Sequence, residues 1–230
     1  MKYIKPHIPN LITALNIACG TLSIIAAFQW NLQVAACFIL AGSLFDFLDG
    51  AAARLLNVSS SLGKELDSLC DVVTFGVAPG VMAYQMLLEQ FGIQSWIPFL
   101  AVLIPVLSAW RLAKFNLDER QTTGFFGLPT PANALFFAGI AFVDNDLRLL
   151  LLEKMSWLLP TLTVIFSILL ITEISLFSLK FKNLKIKGNE IRYIFLLCAI
   201  LLAIFLMNNA LPVIILAYIL ISVVSLLFKK

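Results

Sequence analysis

Eight long apolar runs follow one another along this 230-residue chain, near 11–29, 32–56, 66–90, 95–116, 130–148, 155–179, 191–207 and 211–228, with only short polar breaks between them. About 20 apolar residues in helical form match the thickness of a bilayer's hydrocarbon core, so eight such runs leave no length for an extramembrane domain. The composition agrees: 61% of residues are hydrophobic and 13% charged, against roughly 45–50% and ~25% in a soluble domain. The continuous Leu, Ile and Ala blocks at 100–107, 164–171 and 194–206 lack the alternation of a barrel strand. A backbone in lipid must also pair its polar groups within its own segment unless it closes a barrel. The expected fold is therefore all-α, a polytopic transmembrane helical bundle of about eight spans forming a single membrane domain over residues 1–230.

An even number of spans puts both termini on one side, and the positions of the 16 basic residues test which side that is. Lys2, Lys5, Arg54, Lys64, Arg111, Lys114, Arg120, Lys180, Lys182, Lys185, Lys187, Arg192, Lys229 and Lys230 fall together, leaving Arg148 and Lys154 opposite. The richer side is expected to be cytoplasmic, with the Lys180–Lys187 cluster setting topology or attracting anionic head groups. A basic start before an apolar stretch resembles a secretory leader, but the run is long and no small-x-small cleavage site follows it, so no cleavage is expected. The net charge of +3 gives no sign of nucleic-acid binding. The four cysteines stand singly inside apolar runs and read as small hydrophobes, and His7 has no visible partner for a metal.

Against this background the carboxylates stand out. Asp46, Asp49, Asp67 and Asp71 fall within 26 residues, inside or at the ends of apolar helices. A carboxylate at membrane depth costs several kcal/mol unless neutralised, and Arg54 and Lys64 cannot balance four. Spacings of three and four put each pair on one helix face. The polar turn Asn57–Gly63 between them makes the two helices adjacent and antiparallel, so the pairs can converge. Four carboxylates without His or Cys form a hard oxygen site for Mg²⁺, Mn²⁺ or Ca²⁺. Two such ions would clamp a diphosphate for in-line displacement at phosphorus. Gly50, Ala51, Ala52, Ala53 and Gly63 leave room for a bulky ligand, and Arg54 offers a fork for phosphate oxygens. The competing readings are a charge network that only holds helices together and a divalent-cation transport path.

The residues from Asp46-Phe-Leu-Asp49-Gly50-Ala-Ala-Ala53-Arg54 through Gly63-Lys-Glu-Leu-Asp67-Ser-Leu-Cys-Asp71 fit the pattern D-x2-D-G-x2-A-R-x8-G-x3-D-x3-D without a gap. This is the signature of the CDP-alcohol phosphatidyltransferase family, which the chain resembles over residues 9–180. The resemblance implies a six-helix catalytic core, to which the spans at 191–228 look like an addition, and a homodimer that exchanges CMP on a CDP-linked lipid for an alcohol. It further implies that Asp46, Asp49, Asp67 and Asp71 hold two divalent ions, Mg²⁺ or Mn²⁺. Asn10, Thr13, Gly50, Arg54, Ser60 and Gly63 would surround the nucleotide and its diphosphate, and Asp71 would double as general base. Val-Val-Thr-Phe75-Gly76-Val-Ala-Pro79 and Phe126-Gly127-Leu128-Pro129-Thr-Pro131-Ala132-Asn133 resemble the branch that takes CDP-diacylglycerol and L-serine. Family members using glycerol phosphate, inositol phosphate or an ether-lipid donor are the nearest alternative.

A serine acceptor carries a carboxylate and an ammonium. The candidates for the first are Arg111 and Lys114 at the cytoplasmic end of the fourth span, unless they only fix topology. Glu173, on an otherwise apolar run, is the buried-acid candidate for the second, unless it reaches the interface or pairs with Lys180. The segment Gly127–Asn133 would form one wall or a rigid start to the fifth span. Gly76 and Gly80 form a small-x3-small pair, read mainly as packing within the protomer.

Overall fold

The computed structural model describes residues 7–58, 60–117, 125–149, 154–177, 186 and 188–227. Each apolar run carries a helix. α1 is His7–Phe28 and α2 Leu32–Leu56, α3 is Ser61–Phe91 and α4 Ile97–Leu117, and α5 is Thr130–Ile140. A short α6, Asn145–Leu149, precedes α7, Leu158–Ile171. α8 is Glu190–Leu206 and α9 Ala210–Leu227. The chain is thus an all-α polytopic bundle. Among the described residues, α1 to α4 and the stretch Glu190–Leu226 are long and apolar enough to cross a membrane.

That last stretch is two helices. At 1.5 Å per residue its 37 residues would reach about 55 Å if straight, well past a hydrocarbon core of about 30 Å. Met207 breaks it with φ 46° and ψ −110°. Phe195, 12 positions before the break, then meets Tyr218, 11 positions after it, with ring centroids 5.7 Å apart. The hairpin is fastened at its tip and midway along α9. Asn208 and Asn209 donate side-chain amide hydrogen bonds to the Asp144 carboxylate (3.3 and 2.8 Å), and the Tyr218 hydroxyl donates to the Phe177 carbonyl at 3.0 Å.

Two runs give shorter helices than their apolar length suggests. The first helix of the run 130–148 stops at Ile140 after about 16 Å, where Ala141–Val143 turn and Asp144 is engaged by the hairpin tip. The run 155–179 is helical to Ile171. Thr172 is extended (ψ 154°), and Ser175–Leu176 (β2) pairs antiparallel with Phe125–Phe126 (β1). Gly127 makes this turn possible. Its φ of +77° favours glycine, and a Cβ there would lie 2.9 Å from the Thr172 carbonyl oxygen. With no side chain in the way, the Gly127 N–H reaches Ile174 O at 2.9 Å and the Leu128 N–H reaches Leu169 O at 2.8 Å.

α1 and α2 pack on one another, and beside the turn that joins them Ala26, Ala27, Ala35 and Ala36 are all buried; small side chains let backbones approach where lipid offers no hydrophobic drive. The aromatic centre lies elsewhere, where Phe136 of α5 stacks on Phe166 of α7 with centroids 3.8 Å apart. α3 is interrupted by a wide turn over Val72–Val77, in which the Ala78 N–H reaches back five residues to Val73 O. Pro79 explains part of this: a proline inside a helix cannot donate to the carbonyl four residues back and its ring crowds it, so the turn ahead widens. The wide turn is locked by Thr74, whose hydroxyl donates to Asn16 O at 3.0 Å. A Cβ on Gly20 would lie 2.8 Å from the Thr74 Cα, so only glycine lets α1 come this close. Gly76 and Gly80 both face α4, at Ser108 and Pro105, which is packing within the protomer.

Of the basic residues used for orientation, Lys2, Lys5, Arg120, Lys180, Lys182, Lys185, Lys187, Lys229 and Lys230 lie outside the described residues. Arg148 sits at the opposite end of the bundle from the carboxylates, held by Glu89 at the end of α3 through a forked pair at 2.8 and 2.7 Å.

Candidate metal and nucleotide site

α2 stops where the site begins. Asn57 takes the left-handed conformation (φ 49°, ψ 46°) that closes the helix C-terminus, and Ser60 caps α3 by accepting from the Gly63 N–H at 2.9 Å. The turn between the helices is thus shorter than the expected Asn57–Gly63, with Gly63 already helical. The first turns of α3 pack mainly on α1, whose N-terminal half lies against both α2 and α3, instead of lying side by side with α2.

This wedge brings the acids together. Asp46, Asp49 and Asp67 each offer one carboxylate oxygen, and these oxygens all lie within 4.8 Å of one another. Asp49 and Asp71 are buried, at 6% and 8% exposure. Asp71 stands beside the trio, within electrostatic range of all three, and its Oδ1 accepts from the Asn16 side-chain amide at 3.2 Å. The Thr13 hydroxyl donates to Asp49 Oδ2 at 2.6 Å. One Asp67 oxygen is buried with no hydrogen-bond partner among the described residues. No lysine or arginine lies within ion-pair distance of Asp49, Asp67 or Asp71 among the described residues. A network built only to hold helices together would need those cations, and acids this close repel unless a cation joins them. The orphaned Asp67 oxygen and the all-oxygen donor set fit a hard divalent ion.

A cavity of about 280 Å³ opens beside the trio, lined by Asn10, Thr13, Asp49, Gly50, Ser60, Gly63 and Asp67 from the expected set, and by Lys64. A Cβ on Gly63 would sit 3.0 Å from both Asn10 Oδ1 and Ser60 Oγ, so a side chain there would press on both. Arg54 is exposed outside the lining, with one guanidinium nitrogen 3.7 Å from where a Gly50 Cβ would be. Sequence reasoning passed over Lys64 as a pocket residue, although its place four positions after the Ser60 cap puts it on the first turn. Lys64 also donates to Asn116 O at 3.3 Å, tying α3 to the end of α4. Asn16 was passed over too. Asn10, Thr13 and Asn16 recur every three residues along one face of α1, and that spacing was the available signal.

The expected acceptor residues divide. Glu173 is not a buried acid within a span: the helix ends at Ile171, and Glu173 emerges exposed beyond it. It pairs with Lys114 at 3.0 Å, their side chains 64% and 41% exposed. Arg111, one turn deeper on α4, is 7% exposed, within electrostatic range of Asp71, and its Nε has no hydrogen-bond partner among the described residues.

A family model described as CDP-alcohol phosphatidyltransferase matches residues 6–169. The chain is 37% identical over 147 residues to a Bacillus subtilis protein named CDP-diacylglycerol–serine O-phosphatidyltransferase, covering 62% of this chain and 80% of that one. A protein of the same name from Helicobacter pylori is 37% identical over 144 residues, covering 62% of this chain and 60% of that one. Another from Saccharomyces cerevisiae is 39% identical over 153 residues, covering 59% and 54%. The chain thus spans four fifths of the first relative and between half and two thirds of the other two.

Proposed function

The chain belongs to the CDP-alcohol phosphatidyltransferase family, and from that premise we propose that it is an integral-membrane enzyme transferring the phosphatidyl group of CDP-diacylglycerol to L-serine, giving phosphatidylserine and CMP. The observation that carries this is the convergence of the Asp46, Asp49 and Asp67 carboxylates within 4.8 Å beside a cavity lined by the rest of the family signature. The names of the relatives support serine as the acceptor.

Asp46, Asp49, Asp67 and Asp71 would hold two divalent ions, Mg²⁺ or Mn²⁺. Bound there, such ions neutralise the diphosphate and stabilise the charge that builds on the departing CMP. The protein's own groups do the rest. Asn10, Thr13, Gly50, Ser60, Gly63 and Lys64 form the walls that take the nucleotide end, with Arg54 at the rim for phosphate oxygens. Thr13 and Asn16 hold Asp49 and Asp71 in fixed rotamers. Asp71 accepts the proton of the serine hydroxyl, whose oxygen bonds to the phosphorus bearing diacylglycerol. The bond from that phosphorus to the bridging oxygen breaks, and CMP leaves with its electron pair. A serine hydroxyl is a weak nucleophile at neutral pH, so a carboxylate fixed beside it supplies the missing basicity; the remainder is positioning and charge neutralisation.

The same reading takes residues 9–180 as the catalytic core and 191–228 as an addition, supported by a family match that stops at residue 169. It places the site and both termini on the cytoplasmic side, supported by the uneven sorting of Lys and Arg. It takes the assembly to be a homodimer, supported by the family resemblance. The test is to incubate purified protein with CDP-diacylglycerol and Mn²⁺ or Mg²⁺, and separately with serine, inositol, inositol phosphate or glycerol phosphate, and to measure CMP. Release with serine is expected. Release with none of them sinks the enzyme reading, and release only with another acceptor sinks the serine one. Transport of radiolabelled Mn²⁺ into liposomes without CMP release would favour a cation transporter.

A further inference from the structure

The α8–α9 hairpin lies beyond residue 169, where the family match stops. A helical hairpin needs only apolar surface to stay in a bilayer, but this one is also fixed in place against the core. At its tip the Asp144 N–H donates to Asn209 Oδ1 at 2.9 Å, besides the two amides that reach the Asp144 carboxylate. Just beyond, α9 passes α5 so closely that a Cβ on Gly139 would lie 2.9 Å from the Pro212 nitrogen. Away from the tip, the rings of Phe177, Phe195 and Tyr218 meet edge to face in a closed trio, with centroids 5.1 to 5.8 Å apart. Phe195 is the one α8 side chain that is buried, so α8 braces α9 through this trio.

Tyr218 connects the trio to the reaction site. It is 5% exposed, its hydroxyl is committed to the Phe177 carbonyl at 3.0 Å, and it lies within electrostatic range of the buried Arg111, which in turn is within range of Asp71. Beside it, Ile219 and Val223 close an apolar seam against Leu128, Leu169 and Leu176. α9 thus covers the flank of the bundle from which Arg111 approaches Asp71. On the proposed reaction, Asp71 takes a proton from whichever hydroxyl reaches the phosphorus bearing diacylglycerol, and water far outnumbers serine. Attack by a water oxygen would pass its proton to Asp71, break the bond to the bridging oxygen and release CMP with the electron pair, leaving phosphatidic acid in place of phosphatidylserine. A transferase therefore needs this flank closed to bulk water.

We infer that the α8–α9 hairpin is the wall that keeps water from competing with the acceptor, and that Tyr218 is its positioning residue. The ring covers Arg111 and backs the apolar seam, while the hydroxyl, held on a backbone carbonyl, takes no part in proton transfer. This rests on the proposed function and adds to it the control of hydrolysis.

The test is to give purified protein CDP-diacylglycerol, Mn²⁺ and serine and to measure both lipid products, phosphatidic acid and phosphatidylserine, for wild type, Tyr218→Phe, Tyr218→Leu and Tyr218→Ala. A product ratio does not depend on how much of a preparation is folded, and Tyr218→Leu decides if Tyr218→Ala yields no folded protein. Wild type and Tyr218→Phe are expected to make phosphatidylserine with little phosphatidic acid. In Tyr218→Leu and Tyr218→Ala the serine reaction is expected to slow about 10- to 100-fold as the acceptor is misplaced, and the ratio of phosphatidic acid to phosphatidylserine to rise by about tenfold or more. A ratio that stays at the wild-type value in Tyr218→Leu, however far total activity falls, overturns the inference and leaves the proposed function standing; so does a ratio that rises as far in Tyr218→Phe. A wild type that makes no phosphatidylserine overturns the proposed function, and this inference with it.

Discussion

Asn16 donates its side-chain amide hydrogen bond to Asp71 at 3.2 Å, across 55 positions of sequence and from a different helix. Its backbone carbonyl accepts from Thr74 three residues further on, so a single α1 residue holds both the last acid of the signature and the wide turn behind it. Among the described residues, Asp46, Asp49, Asp67 and Arg111 are the charged groups within electrostatic range of Asp71.

Asn16→Ala is therefore expected to lower turnover about 10- to 100-fold, the worth of one hydrogen bond to a charged group. Asn16→Asp is expected to be worse, since it sets a fifth acid against Asp71. CMP release at saturating serine and CDP-diacylglycerol measures both.

Thr13→Val removes the hydroxyl that donates to Asp49 at 2.6 Å and keeps the branched shape. Partners behind a ligating carboxylate typically contribute 10- to 100-fold in metal affinity. The Mn²⁺ concentration for half-maximal activity is expected to rise by about that factor, while activity at saturating Mn²⁺ recovers most of its wild-type value. A titration of activity against Mn²⁺ reads both quantities.

Asp71→Asn keeps size and shape and removes the proton acceptor. General-base action is worth roughly 10²–10⁴-fold, and turnover is expected to fall within that range with the CDP-diacylglycerol KM little changed. Wild-type rates in this variant would remove Asp71 from the base role.

Gly20→Ala adds a methyl group where the Thr74 Cα would be 2.8 Å away. Overpacking of this kind costs about 1–3 kcal/mol, so the thermal midpoint in detergent is expected to drop. Gly50→Ala, whose new Cβ would meet only Arg54 at 3.7 Å, leaves the midpoint unchanged. The pair separates close helix approach from the mere presence of glycine.

What could be read from sequence was what lies close along the chain. Asp46 with Asp49 and Asp67 with Asp71 share helix faces by spacing alone, and the polar turn between them had to bring the pairs back together. Asn16, Thr74 and Gly20 were silent because their roles depend on how α1 docks on α3, which no local period records. Glu173 was misplaced for a related reason: the apolar run continues past Ile171, but there the helix ends and the carbonyls of Leu169 and Ile174 accept from Leu128 and Gly127 of a distant segment. Ser108, Asn133 and Ser167 looked like ordinary small polar residues in apolar helices. Only their complete burial without partners sets them apart.

The expected donor residues that line the cavity fall between Asn10 and Asp67, whereas the acceptor candidates Arg111, Lys114 and Glu173 all come after residue 100. A chimera that joins this chain's front to the back of a relative with another alcohol would inherit its choice of headgroup from the back.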